Sequence, residues 1–596
     1  MTIDDQIYKM TVDEQIYEWT SKNLGKDFKF RPYQFETIKN LIESYLSNEV
    51  ENFLLSAPTG TGKSFIAFIF AGVLNKYYGK TGYYLVSDLG LLDQCENDIN
   101  RFNLKWGVIK GADNYVCNEN NLPIDLSACH LSRKPFNVIV DKWDCARNCE
   151  YIQSKIRAMT SPITVMTYSM WLVQMNYVAE QCTTPPFGKR NFVICDEAHK
   201  LNEIVQNHFS PVLNKNDIDK FNDILKFADK YYLDYNIDKS KINLNASDFG
   251  LYYLKFLDLT DNNEIFEYIN KFYENFLIHI KKIADNIFAQ CSVNKYTVKI
   301  PKEWNKALYI VNWVKDVHCK FTDFIEIINK VGTNYLVKNV QDNRIVFNCL
   351  HEYYLLDKHY HDKGEFKLLM SATLGDPISY AKSIKVRKPK YIEIPSQWSY
   401  AKSPIYFLDK YRMSYKEKDS NFINIVKTIE YILDLHKNDK GIIQCGSFQF
   451  AQKLYNDINP IYKNRILLYN NSNEKNIALN DLNISNNKVL VGPSLIEGIS
   501  LDDDKCRFQI IMKVPYPSLA DSYVKAKLNY MPFWYTWKTL NSIIQGVGRS
   551  IRNEHDWAIT YIIDGCFSDL LVKHYNEFPK SFLYRIKRIE NINELH

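Results

Sequence analysis

The chain has 596 residues, a length that predicts roughly three to five domains and excludes a single core. Hydrophobic residues make up 46% and charged residues 24%, as in ordinary soluble globular proteins, and no apolar run reaches the roughly 18 residues of a membrane span. The net charge of +5 permits a nucleic-acid partner without indicating one, and the acidic start MTIDDQIYKM lacks the apolar core of a secretion signal.

The cysteine content indicates the compartment. Thirteen cysteines, an odd number with no small-scaffold spacing, indicate a reducing environment with free or metal-bound thiols. Those in apolar strands, such as Cys195 and Cys445, are expected in the core. We therefore expect a cytoplasmic or nucleoid-associated protein, or a nuclear one in a eukaryotic host, that is neither secreted nor bound to a membrane.

A glycine-rich segment, APTGTGKS, follows the apolar strand pattern NFLLS and precedes the apolar helix pattern SFIAFIFAGVL. A phosphate-binding loop needs inward-pointing N–H groups, a helix N-terminus, a lysine for the outer phosphates and a hydroxyl for Mg²⁺. Lys63 and Ser64 supply the last two, and Ala57 stands where the general pattern has glycine. A glycine-rich turn without a ligand is the alternative. The predicted loop residues are Ala57, Pro58, Thr59, Gly60, Thr61, Gly62, Lys63 and Ser64.

Four cysteines lie within 33 residues further along the chain. They are separated by 11, 15 and 3 residues, at Cys117, Cys129, Cys145 and Cys149. Four thiolates suit an iron–sulfur cluster or Zn²⁺, and this spacing matches neither a ferredoxin nor a zinc ribbon. His130, next to Cys129, complicates the assignment of ligands. The spacing alone leaves a cluster, zinc and unligated buried thiols open.

The stretch NFVICDEAH predicts a buried strand that ends in two carboxylates. Open parallel sheets bind ligands at the carboxyl ends of their strands. Asp196 is therefore expected to hold Mg²⁺ and Glu197 to orient and deprotonate an attacking water. His199 is placed to sense the γ-phosphate. A solvated turn is the alternative for this segment taken alone.

From about residue 210 to 355 the alternation of strands and helices stops, and helical apolar periodicity with interleaved lysine and tyrosine takes over. Such a surface could line a channel for a single strand, or it could be a packed helical core with a solvated lysine face. Beyond it, EFKLLMSATLGD predicts a strand that ends in Ser371 and Thr373, which could relay the state of a nucleotide.

Near the C-terminus, LNSIIQGVGRSIR places Gln545, Arg549 and Arg552 at i, i+4 and i+7, on one helical face. Two arginines on a packed helix suit a phosphoryl transition state, and a surface ion-pair stripe is the alternative. Strand patterns recur in this half at KGIIQC, RILLY, KVLVG, FQIIMKV and AITYIID. Each half therefore predicts an α/β domain with a doubly wound parallel sheet.

The order of these motifs resembles that of superfamily 2 helicases and, within them, the XPD/DinG iron–sulfur family, over residues 30 to about 200 and 365 to about 565. APTGTGKS, DEAH, SAT and QGVGRSIR correspond to motifs I, II, III and VI. FRPYQ resembles the Q motif, in which Gln34 would read the adenine edge with Arg31 nearby. VLVGPSLIEGISL resembles motif V, with Glu497 and Gly498 facing the cleft.

Weaker correspondences occur in the expected order. YYLVSDLGLLDQCENDI resembles motif Ia, TVMTYSMWL a further strand-contacting motif with Thr167 and Tyr168 as candidates, and KGIIQCGSFQFAQKLY motif IV with Ser447 and Phe448. GADNYVC resembles the lead-in to the family's first cluster cysteine. The resemblance therefore favours a [4Fe–4S] cluster over Zn²⁺ at the four cysteines.

The resemblance implies two RecA-like lobes with ATP and Mg²⁺ between them, a four-cysteine insertion and a helical arch. The expected boundaries are first-lobe segments 1–105, 161–209 and 359–385, the cysteine insertion 106–160, the arch 210–358 and the second lobe 386–596.

The implied function is an ATP-dependent DNA helicase that works as a monomer on single-stranded or forked DNA. The family implies 5′→3′ travel, which the residues do not establish. Three alternatives stay open: a translocase that remodels protein–DNA or R-loop substrates, a binding protein with a decayed motor, and an RNA track. Repair and replication support both fit the sequence, which names no loading or repair partner.

Overall fold

In the computed structural model the chain is described over residues 10–58, 60–119, 121–131, 144–178, 185–231, 246–293, 302–395, 400–469, 471–493, 505–547 and 556–594. Within these ranges no helix combines the length and apolarity needed to cross a bilayer. Two seven-stranded parallel sheets and one three-stranded antiparallel sheet organise the chain. The predicted pair of doubly wound α/β domains is thereby confirmed.

The first parallel sheet carries the glycine-rich loop and the acidic pair. Its strands are β1 (Asn52–Ser56), β2 (Gly82–Val86), β3 (Gly107–Val108), β4 (Ile163–Thr167), β5 (Arg190–Asp196), β9 (Gly364–Ser371) and β10 (Pro389–Glu393). They lie side by side in the order β10-β1-β9-β5-β2-β4-β3. β1, β9 and β5 are adjacent, so three predicted motifs leave the sheet at neighbouring positions of one edge.

Helices cover both faces of this sheet. They are α1 (Val12–Asn23), α2 (Gln34–Ser47), α3 (Lys63–Tyr78), α4 (Leu89–Arg101), α6 (Glu150–Thr160), α7 (Tyr168–Leu172), α8 (Leu201–Phe209) and α15 (Pro377–Ser383). Helix α3 is apolar around most of its circumference because it is enclosed between the sheet and α1 and α2. A π-helical segment, Val173–Val178, extends α7.

Between β3 and α6, the described residues of the four-cysteine segment form short helical turns. Three are the 3₁₀ turns Ala112–Asn114, Ile124–Leu126 and Asp144–Asn148, and one is the short helix α5, Ala128–Leu131. Its buried residues join the first lobe's core on the sheet face away from α3. The segment is therefore packed onto the first lobe.

The insertion between β5 and β9 is largely helical, as predicted. It contains α9 (Asp217–Lys230), α10 (Ala246–Asp258), α11 (Asn262–Phe272), the π-helical turn Tyr273–Leu277, α12 (Ile278–Val293), α13 (Lys302–Val331) and α14 (Glu352–His359). It also contains an antiparallel sheet that the sequence analysis did not predict. Its strands, in the order β6-β8-β7, are β6 (Val212–Asn214), β7 (Leu336–Gln341) and β8 (Arg344–Cys349).

The second parallel sheet has the order β13-β14-β12-β15-β16-β11-β17. Its strands are β11 (Ile405–Leu408), β12 (Gly441–Gln444), β13 (Ile466–Leu468), β14 (Val489–Gly492), β15 (Phe508–Ile511), β16 (Ile559–Ile562) and β17 (Ile586–Ile589). The five strand patterns predicted in this half are all present. Its helices are α16 (Lys418–Leu435), α17 (Phe448–Asp457), α18 (Pro460–Lys463), α19 (Ser472–Ile484), α20 (Ser522–Tyr530), α21 (Pro532–Val547), α22 (Phe567–His574) and α23 (Lys580–Leu583).

Helix α21 belongs to both cores. Trp534 and Trp537 pack into the first lobe's core, whereas Leu540, Ile543 and Val547 pack into that of the second lobe. A helix with apolar residues on two faces is buried on two sides, and here the two sides are the two lobes.

Candidate nucleotide site

The glycine-rich loop joins the buried strand β1 to helix α3, which begins at Lys63. Gly60 and Gly62 have φ of 81° and 76°, a left-handed backbone that favours glycine. A Cβ atom at Gly62 would lie 2.4 Å from Gln34 Nε2, so the position has no room for a side chain. Lys63 Nζ lies over the loop and donates to the Ala57 carbonyl at 3.3 Å. Thr59, predicted as a loop residue, lies outside the described residues.

The two residues predicted on the adenine side contact the loop backbone. Gln34 is buried and donates from Nε2 to the Thr61 carbonyl at 2.8 Å, while its Oε1 accepts the Arg31 N–H at 2.8 Å. The Arg31 guanidinium donates to the Gly60 carbonyl. Thr61 Oγ1 closes the turn by donating to Pro58 O at 2.7 Å. Arg31 and Gln34 therefore brace the phosphate loop from the side of α2.

Asp196 ends strand β5 next to this loop and is buried. Its Oδ1 accepts the Glu197 N–H at 2.9 Å and its Oδ2 accepts the Tyr84 hydroxyl at 3.1 Å. Burial, reinforced by the neighbouring Glu197 carboxylate and opposed by Lys63, raises the pKa of Asp196 to about 6. Burial and the Glu197 carboxylate disfavour the charged form of Asp196, and a bound cation would favour it. A magnesium ligand has this property.

Glu197 has a left-handed backbone, with φ of 50°, and its side chain meets the strand that carries Ser371. Ser371 Oγ donates to Glu197 Oε2 at 3.2 Å and also contacts His199 Nδ1 at 2.8 Å. His199 Nδ1 lies 3.3 Å from Glu197 Oε2. Glu197, His199 and Ser371 thus form one hydrogen-bonded group, which joins the predicted motifs II and III.

The same network reaches the second lobe. Ser371 Oγ accepts the Thr373 N–H at 3.0 Å, and Thr373 Oγ1 accepts Gln545 Nε2 of α21 at 2.8 Å. Two turns before Gln545 on the same helix, Trp537 Nε1 donates to the Leu374 carbonyl at 2.9 Å. A continuous chain of polar contacts therefore runs from the acidic pair to the helix that precedes the predicted arginines. Four other residues that the sequence predicts for the nucleotide site lie outside the described residues: Glu497, Gly498, Arg549 and Arg552.

The two candidate strand-contacting residues differ, since Thr167 is partly exposed and Tyr168 is not. Thr167 caps α7, its hydroxyl accepting the Met170 N–H at 3.3 Å. Tyr168 is buried, and its hydroxyl donates to the Asp196 carbonyl at 2.9 Å. The prediction for Tyr168 is therefore wrong, because a buried phenol bonded to the acidic strand has no surface to offer a polymer. In the second lobe, Ser447 caps α17 by accepting the Phe450 N–H at 3.1 Å, and Phe448 is exposed.

The four clustered cysteines share one region of the structure. Cys117, Cys129 and Cys149 are buried and Cys145 is partly exposed. Burial is the main cause that raises the pKa of Cys145 to about 11 and that of Cys129 above its usual value, and the other three thiols contribute to the rise at Cys145. Across the described ranges, no group of three His, Cys, Asp or Glu side chains is arranged to hold a metal ion.

The sequence analysis missed the buried polar residues that support the acidic pair. The sequence analysis gives Tyr84 no role of its own and predicts that Tyr168 contacts the nucleic-acid strand. The available signal was the tyrosine pair in GYYLV: a phenol in a strand buried on both faces needs a hydrogen-bond partner.

Two family models match the sequence. The helicase C-terminal domain matches residues 429–582, and the res subunit of type III restriction enzymes matches residues 27–233. A curated relative, a probable ATP-dependent helicase of Methanocaldococcus jannaschii, is 21% identical over 605 aligned positions, which cover 87% of this chain and 89% of the relative.

Solved structures match nearly the whole chain. Xpd4 of S. tokodaii superimposes with a TM-score of 0.60 at 14% identity, covering 94% of this chain and all of that one. A structure described as an XPD helicase gives the same TM-score at 15% identity with the same coverage. At these identities the match establishes a shared fold.

Proposed function

Because the chain is an ATP-hydrolysing helicase with an XPD-like fold, we propose that it is a DNA helicase that moves along single-stranded DNA in the 5′→3′ direction. The observation that supports a motor is the polar chain from Glu197 through Ser371 and Thr373 to Gln545. It links the group that would activate water to the other lobe, which is what a motor needs if cleavage is to move one lobe against the other. The DNA track and the 5′→3′ direction are taken from the resemblance to the XPD/DinG family.

We assign the residues of the site as follows. Lys63 would neutralise the outer phosphates, and Ser64 and Asp196 would hold Mg²⁺, which when bound would shield the phosphate charge. Glu197 accepts the proton of the attacking water, and Arg31 and Gln34 lie on the adenine side. Arg549 and Arg552 stabilise the transferring phosphoryl group from the second lobe. The remaining assigned loop and cleft residues are Ala57, Pro58, Thr59, Gly60, Thr61, Gly62, Glu497 and Gly498.

The proposed cycle uses the seam between the lobes. Nucleotide binding closes the lobes on the strand, with Gln545 held against Thr373. Cleavage changes the charge beside Glu197, the change passes through Ser371 and Thr373, and release lets the lobes separate. Contacts to phosphates would supply most of the affinity for the strand, so binding should weaken with salt and show little sequence preference.

We also propose that Cys117, Cys129, Cys145 and Cys149 hold a [4Fe–4S] cluster. Four thiols fit such a cluster chemically, and coordination to iron would displace the protons that burial favours on Cys129 and Cys145. Anaerobically purified protein should contain about four iron atoms and four sulfide ions per chain and should absorb visible light. The Cys145→Ser variant should lose the iron, the sulfide and the absorption. Cys319→Ser is the control. Stoichiometric zinc without sulfide would replace the cluster with a zinc site.

Unwinding of tailed duplexes tests the main proposal. A duplex with a 5′ single-stranded tail should be unwound with ATP and Mg²⁺, whereas a blunt duplex and a 3′-tailed duplex should not. Unwinding of only the 3′-tailed duplex would overturn the direction. Displacement of a bound protein or an R-loop without duplex unwinding would instead identify a remodelling translocase, and stimulation by RNA alone would identify an RNA track.

A further inference from the structure

One buried hydroxyl contacts the carboxylate that is assigned to magnesium. Tyr84 is in strand β2, beside β5, with no exposed surface. Its hydroxyl donates to Asp196 Oδ2 at 3.1 Å.

The ring of Tyr84 is fixed by the phosphate-loop helix. It packs edge-on against Phe68, with ring centroids 5.8 Å apart and an interplanar angle of 67°. Phe68 lies in α3, one turn beyond Ser64, so the ring of Tyr84 packs on the helix that carries Ser64. Tyr84 therefore connects the helix behind the phosphates to the acidic strand.

The remaining polar atoms of Asp196 are also held. Its Oδ1 accepts the Glu197 N–H at 2.9 Å and its carbonyl accepts the Tyr168 hydroxyl at 2.9 Å. Of the three contacts, only that of Tyr84 reaches a carboxylate oxygen from a neighbouring strand. Removal of that hydroxyl would leave Asp196 Oδ2 without this hydrogen bond, so the carboxylate would be held less firmly in one orientation.

The neighbouring tyrosine has no such role. Tyr83 points to the opposite face of β2, as the alternation of a strand requires, and its hydroxyl donates to the Gly188 carbonyl at 2.7 Å. Both tyrosines are fully buried in the same strand. Tyr83 is therefore a matched control for the loss of one buried hydroxyl.

We propose that Tyr84 is a positioning residue that presets Asp196 for the magnesium ion of the nucleotide complex. This inference rests on the proposed assignment of Asp196 to that ion. Groups in the shell behind metal ligands orient them, and losing one such group typically weakens metal binding about 10-fold to 100-fold. Tyr84→Phe removes the hydroxyl and keeps the ring against Phe68.

Manganese binding measured by electron paramagnetic resonance in the presence of ADP tests this directly, since Mn²⁺ replaces Mg²⁺ and no turnover is needed. Tyr84→Phe should weaken Mn²⁺ binding about tenfold and leave metal-free ADP binding unchanged, whereas Tyr83→Phe should change neither. The Mg²⁺ concentration for half-maximal ATP hydrolysis should rise by a similar factor in Tyr84→Phe. Equal Mn²⁺ affinity in Tyr84→Phe and the wild type would overturn the inference.

A double-mutant cycle separates positioning from general damage. In an Asp196→Asn background, Tyr84→Phe should cause no further loss of Mn²⁺ affinity, and an undiminished additional loss would contradict the proposal. If Tyr84→Phe does not fold, Tyr84→Met supplies bulk without a hydroxyl for the same measurements. Absence of DNA-stimulated hydrolysis in the wild type would overturn the helicase proposal alone, because Mn²⁺ binding is measured without DNA.

Discussion

At the scale of single residues, Glu197 bears the chemical step of the proposed motor. It is held by Ser371 Oγ at 3.2 Å and lies beside the buried Asp196. Glu197→Gln keeps the shape and removes the proton acceptor, so ATP turnover should fall about 10²-fold to 10⁴-fold while ADP affinity changes little. Phosphate release and fluorescent-nucleotide titration measure the two quantities. Glu365→Gln, at the other end of the neighbouring strand β9, is the control, and turnover preserved in Glu197→Gln would refute the assignment.

A second residue-scale prediction concerns pH and stability. His359 is buried and stacked on Phe209 with ring centroids 3.7 Å apart, and its Nδ1 contacts Asn176 Oδ1 at 3.1 Å. Burial, with smaller effects from Lys358 and other nearby cations, lowers the pKa of His359 from 6.5 to about 2. A histidine with a lowered pKa favours folding above pH 6.5, and this contribution is lost as the pH falls toward the folded-state pKa.

The expected slope from this site is about 1.4 kcal/mol of unfolding free energy per pH unit below 6.5. Urea unfolding between pH 7 and pH 5 measures it. His359→Gln should be less stable at pH 7, because it loses the stacked ring, but should lose less further stability on acidification. The same acid slope in the variant and the wild type would show that His359 does not titrate on unfolding.

For single residues, the sequence predicts the functional groups that a short local motif identifies. Lys63, Asp196 and Ser371 follow apolar strands, and parallel topology then brings the strand ends together. Tyr168 and Tyr84 could not be placed in this way. Their roles depend on which side chain of a neighbouring strand their hydroxyls meet, and that depends on strand order, which no local pattern specifies.

At the scale of elements, helix α21 is the mechanical connection between the lobes. Trp537 and Gln545 lie two turns apart on one face and bond to Leu374 and Thr373 of the first lobe. Gly375 has φ of 70°, and a Cβ there would lie 2.3 Å from Asn541 Oδ1, so the loop follows the helix closely.

Breaking one of these two hydrogen bonds should weaken the coupling between the lobes without weakening ATP binding. Gln545→Ala should lower the stimulation of ATP hydrolysis by single-stranded DNA severalfold, because it removes the bond to Thr373 that links the two lobes. The KM for ATP should stay nearly unchanged, because that bond joins two protein groups. Ser542→Ala is the control, since its hydroxyl bonds within the helix to the Lys538 carbonyl at 2.9 Å. A rise in KM with unchanged stimulation would place Gln545 in nucleotide binding instead.

The sequence predicted most elements from hydrophobic periodicity, and one error shows its limit. The strands of both parallel sheets are short apolar runs, whereas β7 and β8 lie in a segment assigned to helices. LVKNVQ and RIVFNC flank the Asp342–Asn343 turn, and Asp342 has φ of 50°, as tight hairpin turns require. Neither run alternates apolar and polar residues strictly, so periodicity does not separate these two short strands from the long helical patterns on their N-terminal side.

At the scale of the whole molecule, a buried ion pair joins the insertion to the second lobe. Lys527 of α20 donates to Glu352 of α14, and both side chains are at most 4% exposed. Tyr523 also donates to Glu352 Oε1, at 2.7 Å, and Lys527 lies 4.2 Å above the Trp534 ring centroid. Burial lowers the pKa of Lys527, and Glu352 opposes that shift.

Removing one partner should cost more than removing both. Lys527→Met leaves an unpaired buried carboxylate and should lower the free energy of unfolding by about 3–5 kcal/mol, whereas Lys527→Met with Glu352→Leu should recover most of that loss. Denaturant unfolding with two optical probes measures both. An unchanged stability in Lys527→Met would mean that water reaches the pair.

The central claim is that hydrolysis at the seam between the lobes moves the chain along a single strand. The most direct measurement is single-turnover phosphate release on DNA strands of increasing length, with a trap that prevents rebinding. A motor that steps should release phosphate in an amount that grows with strand length until dissociation limits it, and Lys63→Ala should release none. Release in the wild type that is independent of strand length, or of DNA altogether, would contradict the account.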